Sequence, residues 1–139
     1  MARQRRCFFN ISQQLVGREY KLGEVDCFAI VIQYLDLIGK KLPDVYRGIG
    51  IRNGGYRSIW LSEPVKAKKL MVGFIDENLP EVSRPRCGDI MLLKLKKHKS
   101  NIFLGIHGGN ATVIGASEEH GVGVIGMDHY ELIKAWSAR

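Results

Sequence analysis

The stretch Leu22-Gly23-Glu24-Val25-Asp26-Cys27-Phe28-Ala29-Ile30-Val31-Ile32-Gln33-Tyr34 decides the fold. An apolar run from Phe28 to Ile38 follows directly on Asp26 and stops at Gly39. An aspartate satisfies the first orphan N–H groups of a helix, and a glycine accepts the left-handed turn that ends one. The run therefore predicts a helix of about three turns. Phe28, Ile30, Val31, Ile32, Leu35, Leu37 and Ile38 go all the way round it, which predicts a buried helix rather than an amphipathic one. Cys27 falls in the first turn, where the helix dipole and unpaired N–H groups favour a thiolate. Two readings stay open for it: a nucleophile presented from a helix end, or a small core cysteine.

Working outward, residues 7–17 predict a short helix capped by Asn10 or Ser12 and ended by Gly17. A connector at 18–25 holds Tyr20 and Gly23. Lys40-Lys41-Leu42-Pro43 stops the central helix firmly. Residues 44–58 hold Gly48, Gly50, Gly54 and Gly55 with Tyr46 and Tyr56 between them. They predict an irregular surface loop able to wall a cleft. No strand precedes the loop and no Gly-Lys-Ser/Thr follows it, which argues against a phosphate cradle. Residues 62–79 predict one helix with Ser62 as N-cap and Pro64 in its first turn. From residue 89 the pattern changes to period two. Strands are predicted at 89–96, 101–108, 111–116 and 121–126, with Gly109-Asn110 as a hairpin turn. Residues 128–135 predict a short closing helix capped by Asp128. Helices first and an antiparallel meander second is the α+β pattern, in one domain over residues 1–139.

The chain has 139 residues, enough for a real core in a single domain. Its hydrophobic fraction of 45% and charged fraction of 25% are ordinary for a soluble globular protein. The net charge of +7 suits an acidic partner: nucleic acid, an anionic cell-wall polymer or an acidic protein face. The basic runs at 3–6, 66–69 and 94–99 are scattered and come with no nucleic-acid motif, so nucleic-acid binding is not expected. Cys7, Cys27 and Cys87 are odd in number and lack paired spacing. That argues against a disulfide framework and for a reducing compartment during synthesis. With no Cys-x-x-Cys and no histidine pair at ligand spacing, neither a zinc site nor a cofactor is expected. The basic N-terminus lacks an apolar stretch of signal-peptide length, and no apolar run is long enough to span a membrane.

One further pattern runs through the chain. It comprises Gly17, Tyr20, Gly23, Asp26-Cys27, the apolar helix with Tyr34, and Gly39-Lys40-Lys41-Leu42-Pro43. It continues with Cys87-Gly88-Asp89-Ile90, Gly105-Ile106, Gly109-Asn110, Ile114, Ala116-Ser117 and Gly121-Val122. In this order and spacing the chain resembles the NlpC/P60 family of papain-like cysteine peptidases over nearly its whole length. The likeness is greatest to small versions found in phage tails and gene-transfer agents. The resemblance implies a papain-like fold, with N-terminal helices and a buried Cys-bearing helix packed on an antiparallel β-meander. It implies cleavage of peptidoglycan stem peptides, with Cys27 as nucleophile. It also implies substrate contacts from Asp26, toward the substrate's amino end, and from Tyr20, which would shape the pocket. The family's general base is a histidine two residues before a Gly-Ile pair. A third polar residue, often histidine, lies about twelve positions later and orients it.

Here the chain departs from that pattern. Gly105-Ile106 fits the Gly-Ile pair, so the base position is Phe103 and the orienting position is Gly115. Phe28 also replaces the small residue that usually follows the nucleophile. His107 is a weak substitute: it shares a strand face with Phe103 but lies roughly 13 Å farther along. A base must come within about 3 Å of the proton it takes. His98, His120 and His129 fall in loops or the predicted last helix and read as surface residues. Without a base, the helix end alone lowers the thiol pKa by at most one or two units, enough for a reactive thiol but with no acid for the departing amine. Three functions follow from the resemblance. The first is a structural component of a phage tail hub or tip, built on a degenerate peptidase domain. The others are an active cysteine endopeptidase opening peptidoglycan during phage entry, and a non-cleaving cell-wall binding module. The implied partners are other tail or hub proteins, with peptidoglycan in the last two readings. The implied location is the virion, after synthesis in the host cytoplasm.

Overall fold

The computed structural model describes residues 13–96 and 102–138. The central helix α1 spans Cys27–Leu37, and Asp26 caps it by accepting the Ala29 N–H. A two-strand hairpin follows, β1 (Val45–Tyr46) and β2 (Ile49–Gly50), then α2 (Arg57–Ser62) and α3 (Pro64–Asn78). The second half holds β3 (Ile90–Leu95), β4 (Ile102–Gly109), β5 (Thr112–Ser117), β6 (Gly121–Gly126) and β7 (Tyr130–Trp136). These five form one antiparallel sheet in the order β6-β5-β4-β3-β7, so the chain is α+β as its pattern predicts. Among the described residues no helix is long and apolar enough to cross a membrane.

Four expectations need correction. The β4–β5 turn is Asn110-Ala111, both at positive φ, and not Gly109-Asn110, because Gly109 still pairs with Thr112 at the end of β4. Residues 130–136 are a strand, not a closing helix; only Met127–His129 make a single 3₁₀ turn. The helix predicted over 62–79 is present as Pro64–Asn78, but Ser62 does not cap it: Ser62 ends the separate helix α2 that precedes it. The Ser62 Oγ donates back to the Ser58 carbonyl. Glu63 stands at the break because a residue before proline avoids helical geometry. The 44–58 segment is not a plain surface loop. It contains the β1–β2 hairpin and sends Tyr46, Ile51 and Tyr56 into the core, around Phe28 and Phe74. The expected caps Asn10 and Ser12 lie outside the described residues, as does Asn101; residues 13–15 are helical and Gly17 follows at φ +95°.

The sheet has two apolar faces. One packs on α1 and α3 through Ile90, Leu92, Leu104, Ile106, Ile114, Val122 and Trp136. The other buries Met91, Leu93, Val113 and Ala135, with Phe103, Met127 and Tyr130 against them. A flat sheet would leave that second face in water. Connectivity forces it to curl. β6 and β7 are opposite edges, about 19 Å apart in a flat sheet. Moreover, Gly126 pairs with Thr112 at one end while Tyr130 pairs with Leu95 at the other. Residues 127–129 must join these diagonal corners, and four chain steps reach at most ~14 Å. The sheet therefore bends into a partly closed barrel, with the Met91 cluster inside it.

Glycines make that curvature possible. Gly115 pairs with Gly123, and Gly105 lies one step from the Ile106–Ile114 pair, so the three run side by side across β4, β5 and β6. A Cβ on Gly105 would collide with the Val113 Cγ1 atom. Elsewhere the layers are tied by buried polar bonds. The Tyr34 hydroxyl on α1 donates to the Gly88 carbonyl at 2.7 Å. The Trp136 indole N–H donates to Asp76 of α3 at 2.8 Å.

Candidate functional site

The N-terminus of α1 meets one mouth of the curled sheet. The cleft between them is lined by Tyr20, Cys27, Trp60, Lys68, Phe103 and Tyr130, with Ile125 and Ser117 on its sheet side. Tyr20, Cys27 and Phe103, singled out from the sequence, are thus brought together. Trp60, Lys68, Ile125 and Tyr130 were not singled out, and no spacing in the sequence marks them. The mouth is assembled from α2, α3, β6 and β7, elements far apart in the chain.

Cys27 sits where a helix presents a thiol, but its chemistry is not that of an activated one. Burial pushes its pKa up to about 11. The backbone around Leu104 pulls it down, the Asp26 carboxylate pushes it up, and Lys68 and the Phe28 backbone pull it down. Backbone contacts act in the expected direction, yet desolvation exceeds them. The expected lowering by the helix end is corrected: the net shift is upward, away from the thiolate. The Tyr20 hydroxyl is raised to about 12, first by burial, then by Asp26, Cys27 and Glu118.

The wall opposite the thiol carries no imidazole among the described residues. Phe103 stands in it, edge-to-face with Tyr130 at 5.1 Å between ring centres. A Cβ built on Gly115 would lie 3.6 Å from the Phe103 ring, so that ring covers the glycine. The two positions are physically coupled: the space above Gly115 is filled from Phe103. His107 is elsewhere. Its N–H donates to the Asp89 carbonyl and its C=O accepts from Gly88. Its Nδ1 accepts the Gly109 N–H at 3.0 Å, so the neutral ring carries its proton on Nε2. Burial lowers its pKa, against a raising effect of Asp89. That ring has no lone pair left for a thiol, and it does not line the cleft. His120 is exposed, 3.7 Å from Glu119, and His129 is exposed in the 3₁₀ turn. His98 lies outside the described residues.

Asp26 is held inside the domain by its own hydrogen bonds. It is only 3% exposed. Its Oδ1 accepts the Ala29 N–H, and its Oδ2 accepts both the Gly23 N–H and the Tyr56 hydroxyl, each at 2.7 Å. With three donors it is a structural clamp, absent from the cleft lining. Tyr56 is the partner that sequence reasoning did not assign; thirty residues separate the two, and no local pattern joins them. The 44–58 segment likewise leaves the cleft wall to α2 and α3, and instead closes a small apolar space around Phe28, Tyr46 and Phe74. Among the described residues no group of three or more acidic, cysteine or histidine side chains is placed to hold a metal. A scan against protein-family models finds no match, and a search of curated proteins finds no relative.

Proposed function

We propose that this chain is a structural component of a phage tail hub or tip, built on a papain-like NlpC/P60 domain that no longer cleaves. One observation carries the reading: the ring of Phe103 fills the wall beside Cys27, over Gly115, where a peptidase of this kind would place its imidazoles. Amide cleavage by a thiol needs a thiolate to attack and an acid to protonate the leaving amine. Cys27 is protonated at neutral pH, and the cleft holds no described histidine for either step. What remains is a rigid apolar mouth on a basic domain, suited to contact with other tail or hub proteins.

The test is hydrolysis of peptidoglycan-derived peptides by the purified protein. No release of new amines is expected. Release that Cys27→Ala abolishes would overturn the reading in favour of an endopeptidase. Retention on insoluble sacculi without release would instead mark a cell-wall binding module. A paired variant probes the frame itself. Phe103→His with Gly115→His is expected to lower the pH midpoint of Cys27 alkylation by at least one unit. An unchanged midpoint in a folded variant would mean these positions do not face the thiol.

A further inference from the structure

Helix α2 buries none of its six residues. Its sequence, Arg57-Ser58-Ile59-Trp60-Leu61-Ser62, nevertheless carries three large apolar side chains in a row. Ile59 and Trp60 are half-buried, and Leu61 is 69% exposed. Residues 61–66 are all exposed where α2 turns into α3, and Val65, four residues beyond Leu61, is 68% exposed. Among the described residues no other large apolar side chain is as exposed as these two. A helix this short cannot hold itself by its own hydrogen bonds, and apolar contact with a neighbour supplies the rest. On its outer side α2 lacks that contact.

The same corner is basic. Residues 57–69 hold Arg57, Lys66, Lys68 and Lys69 against Glu63 alone. Glu63 is 3.9 Å from Lys66, a loose and exposed pair. Lys69 follows Val65 by one helical turn, so the two share the outer face of α3, away from the buried Ala67, Met71 and Phe74. The Lys68 ammonium stands over the Trp60 ring, 5.9 Å from its centre. The acidic residues of α3, Asp76 and Glu77, are at its far end, engaged there by Lys134 and by Tyr46 and Arg47. Glu118 lines the same cleft as Trp60 but acts on Tyr20.

We propose that the α2–α3 corner is a membrane-surface anchor: Leu61 and Val65 enter the headgroup region of an anionic bilayer, with Trp60 at the interface and Lys66, Lys68 and Lys69 against the lipid phosphates. Aliphatic tips, a tryptophan and lysines with long apolar stems are the composition that seats a helix in that region. The corner projects as six consecutive exposed residues. A bilayer takes protruding apolar side chains without the shape complementarity that a folded partner demands. Each lysine near a negatively charged leaflet adds an attraction that salt screens. The site does not involve Cys27, Phe103 or Gly115, so it stands or falls apart from the reading above.

The probe is a vesicle of phosphatidylcholine with about 30% phosphatidylglycerol, titrated into the full chain. Trp136 is fully buried, so a change in tryptophan emission reports Trp60. A saturable blue shift is expected, with co-sedimentation of protein and vesicles. Raising the salt to about 0.5 M is expected to weaken binding at least fivefold. Leu61→Ser with Val65→Ser is expected to weaken it at least tenfold, whereas Val45→Ser, also exposed but on β1, leaves it unchanged. Should the double variant fail to fold, vesicles with brominated acyl chains give the equivalent test on the unaltered chain and should quench Trp60. No binding at millimolar lipid, equal binding to pure phosphatidylcholine, or no quenching by the brominated chains would each overturn the proposal. So would a blue shift produced by soluble polyglutamate and not by vesicles, which would mark an acidic protein as the partner instead.

Discussion

Asp26 shows how much one side chain carries. Its carboxylate holds the first turn of α1, the Gly23 turn and Tyr56 from the hairpin segment. Asp26→Ala would strand three donors, two of them backbone. The expected cost is about 2–4 kcal/mol of unfolding free energy, measured by urea titration. Tyr56→Phe removes one donor and should cost less than half as much. The neighbouring thiol and hydroxyls set a pH limit. Cys27, Tyr20 and Tyr56 all have pKa values raised in the fold, chiefly by burial. Above about pH 9 the unfolded chain releases these protons while the native state keeps them. Stability should therefore be full below pH 9 and fall between pH 9 and 11, seen as a dropping urea midpoint. Over the same range the alkylation rate of Cys27 should climb toward a midpoint near 11, well above that of an ordinary thiol.

At the scale of elements, the central helix was plain in the sequence because its signals are local: a cap, a stop and apolar residues between. The β4–β5 hairpin and β6 were legible for the same reason. β7 was not. Its apolar residues fall at Tyr130, Leu132, Ile133, Ala135 and Trp136, a helical rhythm. The cause is a bulge opposite Leu92 and Leu93, which skips Ile133 and shifts the alternation by one residue. Before the bulge Leu132 sits opposite Leu93; after it Ala135 sits opposite Met91. A bulge depends on the partner strand, so no window of β7 alone could announce it. The cleft was half legible for a similar reason. Tyr20, Cys27 and Phe103 lie in motifs, but Trp60, Lys68 and Tyr130 arrive by tertiary packing. Packing inside the curl gives a direct check: Gly105→Ala must displace the buried Val113 and should cost about 1–3 kcal/mol, with loss of near-ultraviolet aromatic signal.

For the whole molecule, the join between helices and sheet is concentrated at Asp76. It accepts from the buried Trp136 indole and pairs with Lys134, both on β7. The bond from Lys134 is the main cause of its lowered pKa. A carboxylate depressed by folding stabilises above its unfolded pKa, and that contribution is lost as pH falls through the folded value. Asp76→Ala should therefore weaken the protein at pH 7 and matter much less at pH 2, where the wild-type carboxyl is itself protonated. Matched urea titrations at the two pH values measure this. The three residues at 127–129 reach further. Because they tether opposite corners of the sheet, the arc cannot relax toward planarity without unseating β7 from β3. The aperture beside Cys27 is accordingly gauged by covalent connectivity. Opening it wider would mean breaking main-chain pairing, not merely turning a side chain.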